Sequence, residues 1–185
     1  NRLMTNHTLL NQLIISVQQH EARIIHQPSL LEAGVLIAIT DELEPHLILT
    51  RRADHLNTHS GEVAFAGGKR DDTDPDIVFT ALREAYEEID LASQDVRVIG
   101  HLDQVVSRFG YIVTPIVGII PADLIFTANL AELDAVFKVP LRFFLETEPH
   151  DYFEAGSFSI PSFHYEGFRI WGLTAMMITV MLNNH

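Results

Sequence analysis

The stretch Gly67–Leu91, GGKRDDTDPDIVFTALREAYEEIDL, decides how this chain folds and what it gathers in one place. A Gly-Gly pair and an Asp-rich loop lead into apolar residues at helical spacing: Val78, Ala81, Leu82, Ala85 and Ile89. Pro75 suits the first turn of a helix, where its missing N–H costs nothing, and Asp74 is then the expected N-cap. Gly67 and Gly68 are expected to turn with positive φ and bring main-chain groups toward the helix. Glu84, Glu87 and Glu88 stand three and four residues apart, so they project side by side, facing mainly out of the core and toward the preceding loop. Like charges at that spacing cost an isolated helix roughly 0.2–0.5 kcal/mol per pair. A solvated acidic face would tolerate that cost. A hard divalent cation that takes carboxylate oxygens would offset it.

Outward from this stretch, strands and helices alternate unevenly. Leu9, Leu10, Leu13, Ile14 and Val17 recur at helical spacing, which predicts an amphipathic helix over about 6–25 that ends before Pro28. Gly34–Ile39 and His46–Thr50 read as a hairpin across the acidic Asp41–Pro45. Residues 51–74 read as loop with a brief strand at Glu62–Phe65. Val96–Leu102 and Tyr111–Ile120 read as strands, Glu132–Val139 is mixed in signal, and Leu141–Leu145 reads as a short helix. Phe153–Ile160 and Tyr165–Trp171 are expected to pair as a hairpin before a last helix over about Gly172–Asn183. Runs of strands with helices at three places indicate an α+β fold, and 185 residues without repeat or linker fit one domain over 1–185.

Composition excludes several functions. The chain has no cysteine, which removes disulfides, thiolate metal sites and a cysteine nucleophile and leaves carboxylate and histidine as ligands. A net charge of −13 argues against nucleic acid as a partner, since such binding needs Lys and Arg to neutralise phosphates. A small phosphate substrate stays open, because a bound cation reverses the local field. Eight of the 25 acids fall between Asp71 and Asp90, at the candidate site itself. No secretory signal stands out, and Leu173–Leu182 is shorter than the about 20 residues a membrane span needs. A cytoplasmic protein with no membrane partner is the expectation, and a chain beginning at Asn1 suggests a processed N-terminus.

Arg83-Glu84-Ala85-Tyr86-Glu87-Glu88-Ile89, preceded by Gly67-Gly68, resembles the signature box of the Nudix hydrolases. Gly68 is followed by five residues and Asp74, then by eight residues to Arg83, which is one longer than the usual spacing. Asp74 shortens the usual glutamate, and Asp90 stands where the box has glycine. The extra residue is similar to that of one subgroup, the coenzyme A diphosphatases. That subgroup carries an upstream signature resembled here by Leu49-Thr50-Arg51-Arg52 and by Leu56-Asn57-Thr58-His59-Ser60-Gly61-Glu62-Val63-Ala64-Phe65-Ala66-Gly67-Gly68. Further resemblance runs through Val113–Gly118, Ala135–Leu141 and Ile170–Ala175, so it covers roughly residues 30 to 180. Ala66 for proline, Glu62 for glutamine and Asp90 for glycine are departures that delete no carboxylate.

The resemblance implies the Nudix α/β/α sandwich, with a mixed β-sheet between helices, and attack of water on a diphosphate. It implies Mg²⁺ or Mn²⁺ as cofactor, with Glu84, Glu87, Glu88 and the carbonyl of Gly67 or Gly68 as metal ligands. Glu87 or Glu88 is the implied base. Glu132, in a segment where related enzymes often place a further acid, is a second candidate for which Asp134 competes. Arg83 is expected to pair with Glu87 or Asp74 and orient the carboxylates. Arg52 is expected to grip a substrate phosphate as guanidinium does, in bidentate fashion, and His59 to donate to phosphate or a leaving oxygen. For Phe109 and Tyr111, packing is the better expectation than stacking on an adenine. The implied partner is a small-molecule substrate, coenzyme A or another nucleotide diphosphate such as ADP-ribose, and homodimers are common for this architecture. A non-catalytic member would be expected to have lost acids that this chain keeps.

Overall fold

A computed structural model describes residues 8–57 and 60–183. Its centre is a mixed sheet built on two long strands, β1 (Leu31–Asp41) and the strand at Tyr111–Pro121. They run parallel and in register from Leu31 opposite Tyr111 to Asp41 opposite Pro121. Between them in sequence come β2 (His46–Arg52), β3 (Val63–Ala64), β4 (Ala66–Lys69), β5 (Arg97–His101) and β6 (Val105–Val106), so Tyr111–Pro121 is β7. The expected hairpin forms, with Ile39 opposite Leu47. β4 adds antiparallel to the first part of β1, and β8 (Leu133–Pro140) adds antiparallel to β2. The segment of mixed signal is therefore a strand. Its partner, β2, decides this.

The sheet is buried on both faces, which is why its strands read as nearly continuous apolar runs. Alternate residues point to opposite sides. Leu36, Ala38, Ile48, Ile116 and Ile120 meet Ala81, Ala85 and Ile89 of helix α2 (Ile77–Ile89). Ile37, Ile39, Leu47, Leu49, Val117 and Ile119 meet Leu10, Leu13 and Val17 of α1 (Thr8–Gln19) and Ala175, Ile178 and Met181 near the C-terminus. The fold is α+β, a mixed sheet flanked by helices.

Two expectations are corrected. α1 stops at Gln19 instead of continuing to about residue 25. The following residues are held extended by tertiary bonds that periodicity does not register: Asp103 accepts from His20 and from the Arg23 N–H, and Gln104 accepts from the Ile25 N–H. After α3 (Leu141–Glu146), the predicted hairpin becomes three strands: β9 (Asp151–Ala155), β10 (Phe158–Tyr165) and β11 (Phe168–Ile170). β10 pairs with a neighbour on each side, because glycines at 156 and 167, both with positive φ, close two turns rather than one. The last helix, α4, spans Gly172–Asn183 as expected.

Asp90 leaves α2 in the left-handed conformation, φ 60°, and its N–H donates to the Tyr86 carbonyl at 3.1 Å. Aspartate tolerates this backbone better than most residues, but glycine adopts it without penalty. Asp90→Gly should therefore stabilise the protein by about 1 kcal/mol, a rise of roughly 2–4 °C in Tm. A thermal melt tests this, and a lower Tm would show that the Asp90 side chain itself supports the cap.

Candidate active site

Helix α2 carries the acids, and its start differs from expectation. The N-cap is Asp76, whose side chain accepts from the Phe79 N–H at 2.8 Å. Asp74 is freed for a different task. Its carboxylate, 4% exposed, accepts from Arg83 Nε at 3.0 Å and Nη2 at 2.9 Å, a bidentate pair. It also accepts from the Asp71 N–H and the Thr80 hydroxyl. The Arg83 bond holds the Asp74 carboxyl far below the usual carboxylate range, and Asp74 in turn holds Arg83 charged. Arg83 reaches on to Glu84 at 3.1 Å, to Glu87 at 3.2 Å and to the Lys69 carbonyl at 3.2 Å. The guanidinium thus bonds three carboxylates, those of Asp74, Glu84 and Glu87, and pins the Asp71–Asp74 loop to the helix. Both partners expected for Arg83 are engaged at once.

Gly67 and Gly68 do not turn with positive φ; they are strand residues of β4, paired with Val35 and Gly34. Their glycine requirement is one of room. A Cβ on Gly68 would stand 2.6 Å from Glu84 Cδ, and one on Gly67 would stand 2.5 Å from the Gly34 carbonyl oxygen and 2.7 Å from Val35 Cα. The acids of α2 therefore lie against bare backbone. Glu88 is 5% exposed and accepts from the Gly67 N–H at 3.1 Å, so it points under the strand rather than outward as expected. Glu84 is partly buried and Glu87 is exposed.

Two elements distant in sequence close the cluster. The loop after β7 docks on the C-terminal end of α2, its Thr127 N–H donating to the Ile89 carbonyl and its Asn129 N–H to the Glu88 carbonyl. These bonds satisfy carbonyls that end a helix without partners. They also bring in Glu132, whose carbonyl accepts from the Ala53 N–H beyond β2. The Glu132 charge acts on both Glu84 and Glu88. Arg52, at the end of β2, acts on Glu88 in the opposite sense, and its buried Nε has no hydrogen-bond partner among the described residues. Asp134 turns away, accepting from Arg51 Nε at 2.7 Å. His59 lies outside the described residues.

Electrostatically this is a crowded cluster of acids, from nearly buried Glu88 to exposed Glu87. Burial pushes the Glu88 carboxyl up to about 8, and Glu84 and Glu132 add to the rise against the Gly67 N–H and Arg52. Burial also raises Glu84. Carboxylates so placed are a hard-oxygen donor set in want of positive charge, which fits a divalent cation in chemistry. As they stand, among the described residues no three acidic or histidine side chains converge on one point closely enough to hold an ion. Residues that sequence reasoning missed are Thr127 and Asn129, whose roles lie in backbone N–H groups, and the buried state of Asp74. The unusual Asp-Pro-Asp spacing was the only signal for the latter.

Comparison with known proteins agrees with this geometry. Residues 30–135 match the family model described as NUDIX domain. A protein of Escherichia coli O7:K1 named "Uncharacterized Nudix hydrolase NudL" is 45% identical over 151 residues, covering 80% of this chain and 79% of its own length. Its namesake in Shigella boydii serotype 18 matches equally. Among solved structures, a Nudix hydrolase from M. smegmatis, RenU, superposes with a TM-score of 0.53 at 19% identity, covering 63% of this chain and 74% of its own. The NUDIX domain of Shewanella oneidensis NrtR, complexed with ADP ribose, gives 0.51 at 17% identity, covering 66% and 83%. The chain belongs to the Nudix family. It is a Nudix hydrolase, an enzyme acting on diphosphate bonds, and such hydrolases generally use divalent metals such as Mg²⁺ or Mn²⁺. Among the described residues no helix is long and apolar enough to cross a membrane.

The two glycines separate activity from folding. Gly68→Ala displaces only the flexible end of Glu84, so turnover should fall roughly a hundredfold, as a misplacement of about 1 Å can cause, while the melting temperature stays near wild type. Gly67→Ala meets backbone that cannot yield and should lower Tm sharply. Equal melting losses in both would remove the distinction.

A pH experiment addresses Glu88. The unfolded chain releases this proton at about pH 4.3, but the folded state keeps it to about 8. Between those values the folded state binds more protons, so stability falls as pH rises through the window. In EDTA, Tm should decline from about pH 5 to about pH 8 more steeply in the wild type than in Glu88→Gln. Parallel profiles would mean that Glu88 is already ionised in the metal-free fold.

Proposed function

We propose that this Nudix hydrolase is a Mg²⁺- or Mn²⁺-dependent diphosphatase of coenzyme A or its derivatives, releasing 3′,5′-ADP and 4′-phosphopantetheine in the cytoplasm. The observation that carries the reading is Arg52. Its Nε is buried without a partner among the described residues, and its charge acts on Glu88 from the end of the strand that bears the upstream signature. An unsatisfied guanidinium N–H is costly, and a substrate phosphate oxygen would satisfy it.

Water attacks one phosphorus, the new P–O bond forms, the bridging P–O bond breaks, and each product leaves as a phosphate monoester. Glu84, Glu87 and Glu88, with the Gly68 carbonyl, would hold the metal. When bound it neutralises phosphate oxygens and makes water more acidic. Glu87, Glu88 or Glu132 accepts the proton of the attacking water. Arg83 keeps Glu84 and Glu87 aligned by bonds it already makes to both. Arg52 grips the substrate phosphate, and His59 in the same signature donates to phosphate or to the leaving oxygen.

Incubation with coenzyme A and Mg²⁺ or Mn²⁺, with EDTA as control, should yield 3′,5′-ADP and 4′-phosphopantetheine only with metal. Glu87→Gln and Glu88→Gln should each lower kcat by a factor on the order of a hundred or more while remaining folded. Turnover of ADP-ribose with none of coenzyme A would replace the substrate and keep the chemistry. Near-native turnover in both variants at saturating metal would remove the ligand assignment.

A further inference from the structure

The turn Ser107–Gly110, between β6 and β7, presents two side chains that the hydrolytic scheme leaves unused. Its backbone is braced: the Ser107 N–H donates to the Tyr111 carbonyl at 2.8 Å, and the Gly110 N–H donates to the Ser107 carbonyl at 3.0 Å. The Tyr111 N–H donates to Ser107 Oγ at 3.1 Å. Gly110, with φ 81°, lets the chain reverse. Phe109, at the tip, is 54% exposed. Leu31 and Val106, on the strands flanking the turn, are also about half exposed, one on each face of the sheet, since they pair with the successive residues Tyr111 and Ile112. The packing expected for Phe109 leaves much of it uncovered.

Arg108 places its guanidinium 5.0 Å from the Phe109 ring centroid and donates to Glu62 Oε1 at 2.8 Å. Glu62 connects the turn to the acidic pocket, because its carbonyl accepts the Arg52 N–H at 2.9 Å. Strand register locates the turn independently. Thr114, Gly34 and Gly68 form one row across β7, β1 and β4, and Tyr111 opposite Leu31 lies three residues from that row. Three strand residues span about 10 Å, comparable to the separation between a diphosphate and the base of the nucleotide carrying it.

We propose that Phe109, with the Arg108 guanidinium held against it by Glu62, is the stacking platform for the purine base of the diphosphate substrate. The assignment rests on the diphosphatase reading above. A flat ring with a planar cation alongside matches the π-face of a base. An aliphatic pantetheine or acyl arm would gain apolar contact but would make no use of the guanidinium. Pairing with Glu62 neutralises Arg108, so it contributes a plane more than a charge, and Glu62 in place of the usual glutamine is what supplies that pairing in this chain.

The test is calorimetric binding of the two product halves, in Mg²⁺, to wild type, Phe109→Ala and Phe109→Trp. Phe109→Ala should weaken 3′,5′-ADP roughly tenfold or more and leave the Kd of 4′-phosphopantetheine at its wild-type value. Phe109→Trp should restore 3′,5′-ADP binding. The KM for coenzyme A should follow 3′,5′-ADP across the three proteins. Unchanged 3′,5′-ADP affinity in Phe109→Ala overturns the proposal, as does an equal loss for both ligands. If the wild type hydrolyses ADP-ribose and not coenzyme A, the substrate reading fails. The platform is then judged on AMP against ribose 5-phosphate, the base-bearing and base-free halves of that substrate, by the same ratio.

Discussion

The contact on which the acidic end of this protein depends is the approach of Glu84 and Glu88 to the bare backbone of β4. Glu88 accepts the Gly67 N–H, and Gly68 leaves a Cβ-sized space that Glu84 fills. Neither carboxylate could sit there if α2 lay a methyl group further from the strand. That closeness is set on the same face of the helix, where Ala81 and Ala85, fully buried, let α2 press onto β1 and β4. Small residues in the core stripe and glycines in the strand are two halves of one constraint.

Bringing like charges together raises their energy, and the fold offsets this locally. Arg83 is the main device. Bound in bidentate fashion to buried Asp74, it is held in place with hydrogen-bonding capacity left for Glu84 and Glu87. Its planar fork suits this, where a lysine would supply one point charge. Arg52 opposes the same field from the end of β2, and the Gly67 N–H does so through the backbone. The residual imbalance appears as the raised Glu88 carboxyl, which burial causes more than its neighbours do. A pocket with its acids partly unneutralised is poised for positive charge.

The pocket is assembled from parts that are far apart in the chain, and the joints are mostly main-chain hydrogen bonds. Asn129 and Thr127 terminate α2, Ala53 anchors the Glu132 carbonyl, and Glu62 bridges Arg52 and Arg108. Backbone groups carry no residue-type signal, so the main-chain joints were not legible in the sequence. The helix acids, the Gly-Gly pair and the upstream Arg52 were legible because their chemistry depends on residue type. Asp74 shows the boundary between the two cases. An aspartate before proline at a helix start reads as a cap, yet Asp76 caps equally well, and the buried guanidinium of Arg83 claims Asp74 instead.

Sequence alone therefore determined the helix that carries the acids, the strands that bury both faces, the family resemblance and the candidate residues for a cation or phosphate. These follow from periodicity and side-chain type, which are local properties. Tertiary structure decided where α1 ends, that β10 takes a partner on each side, that Glu88 points under β4, and that Glu132 acts on the acids of α2. Each of these depends on strand register and on bonds between distant segments. Such contacts cost chain entropy to form, and their outcome is settled only when the whole core packs.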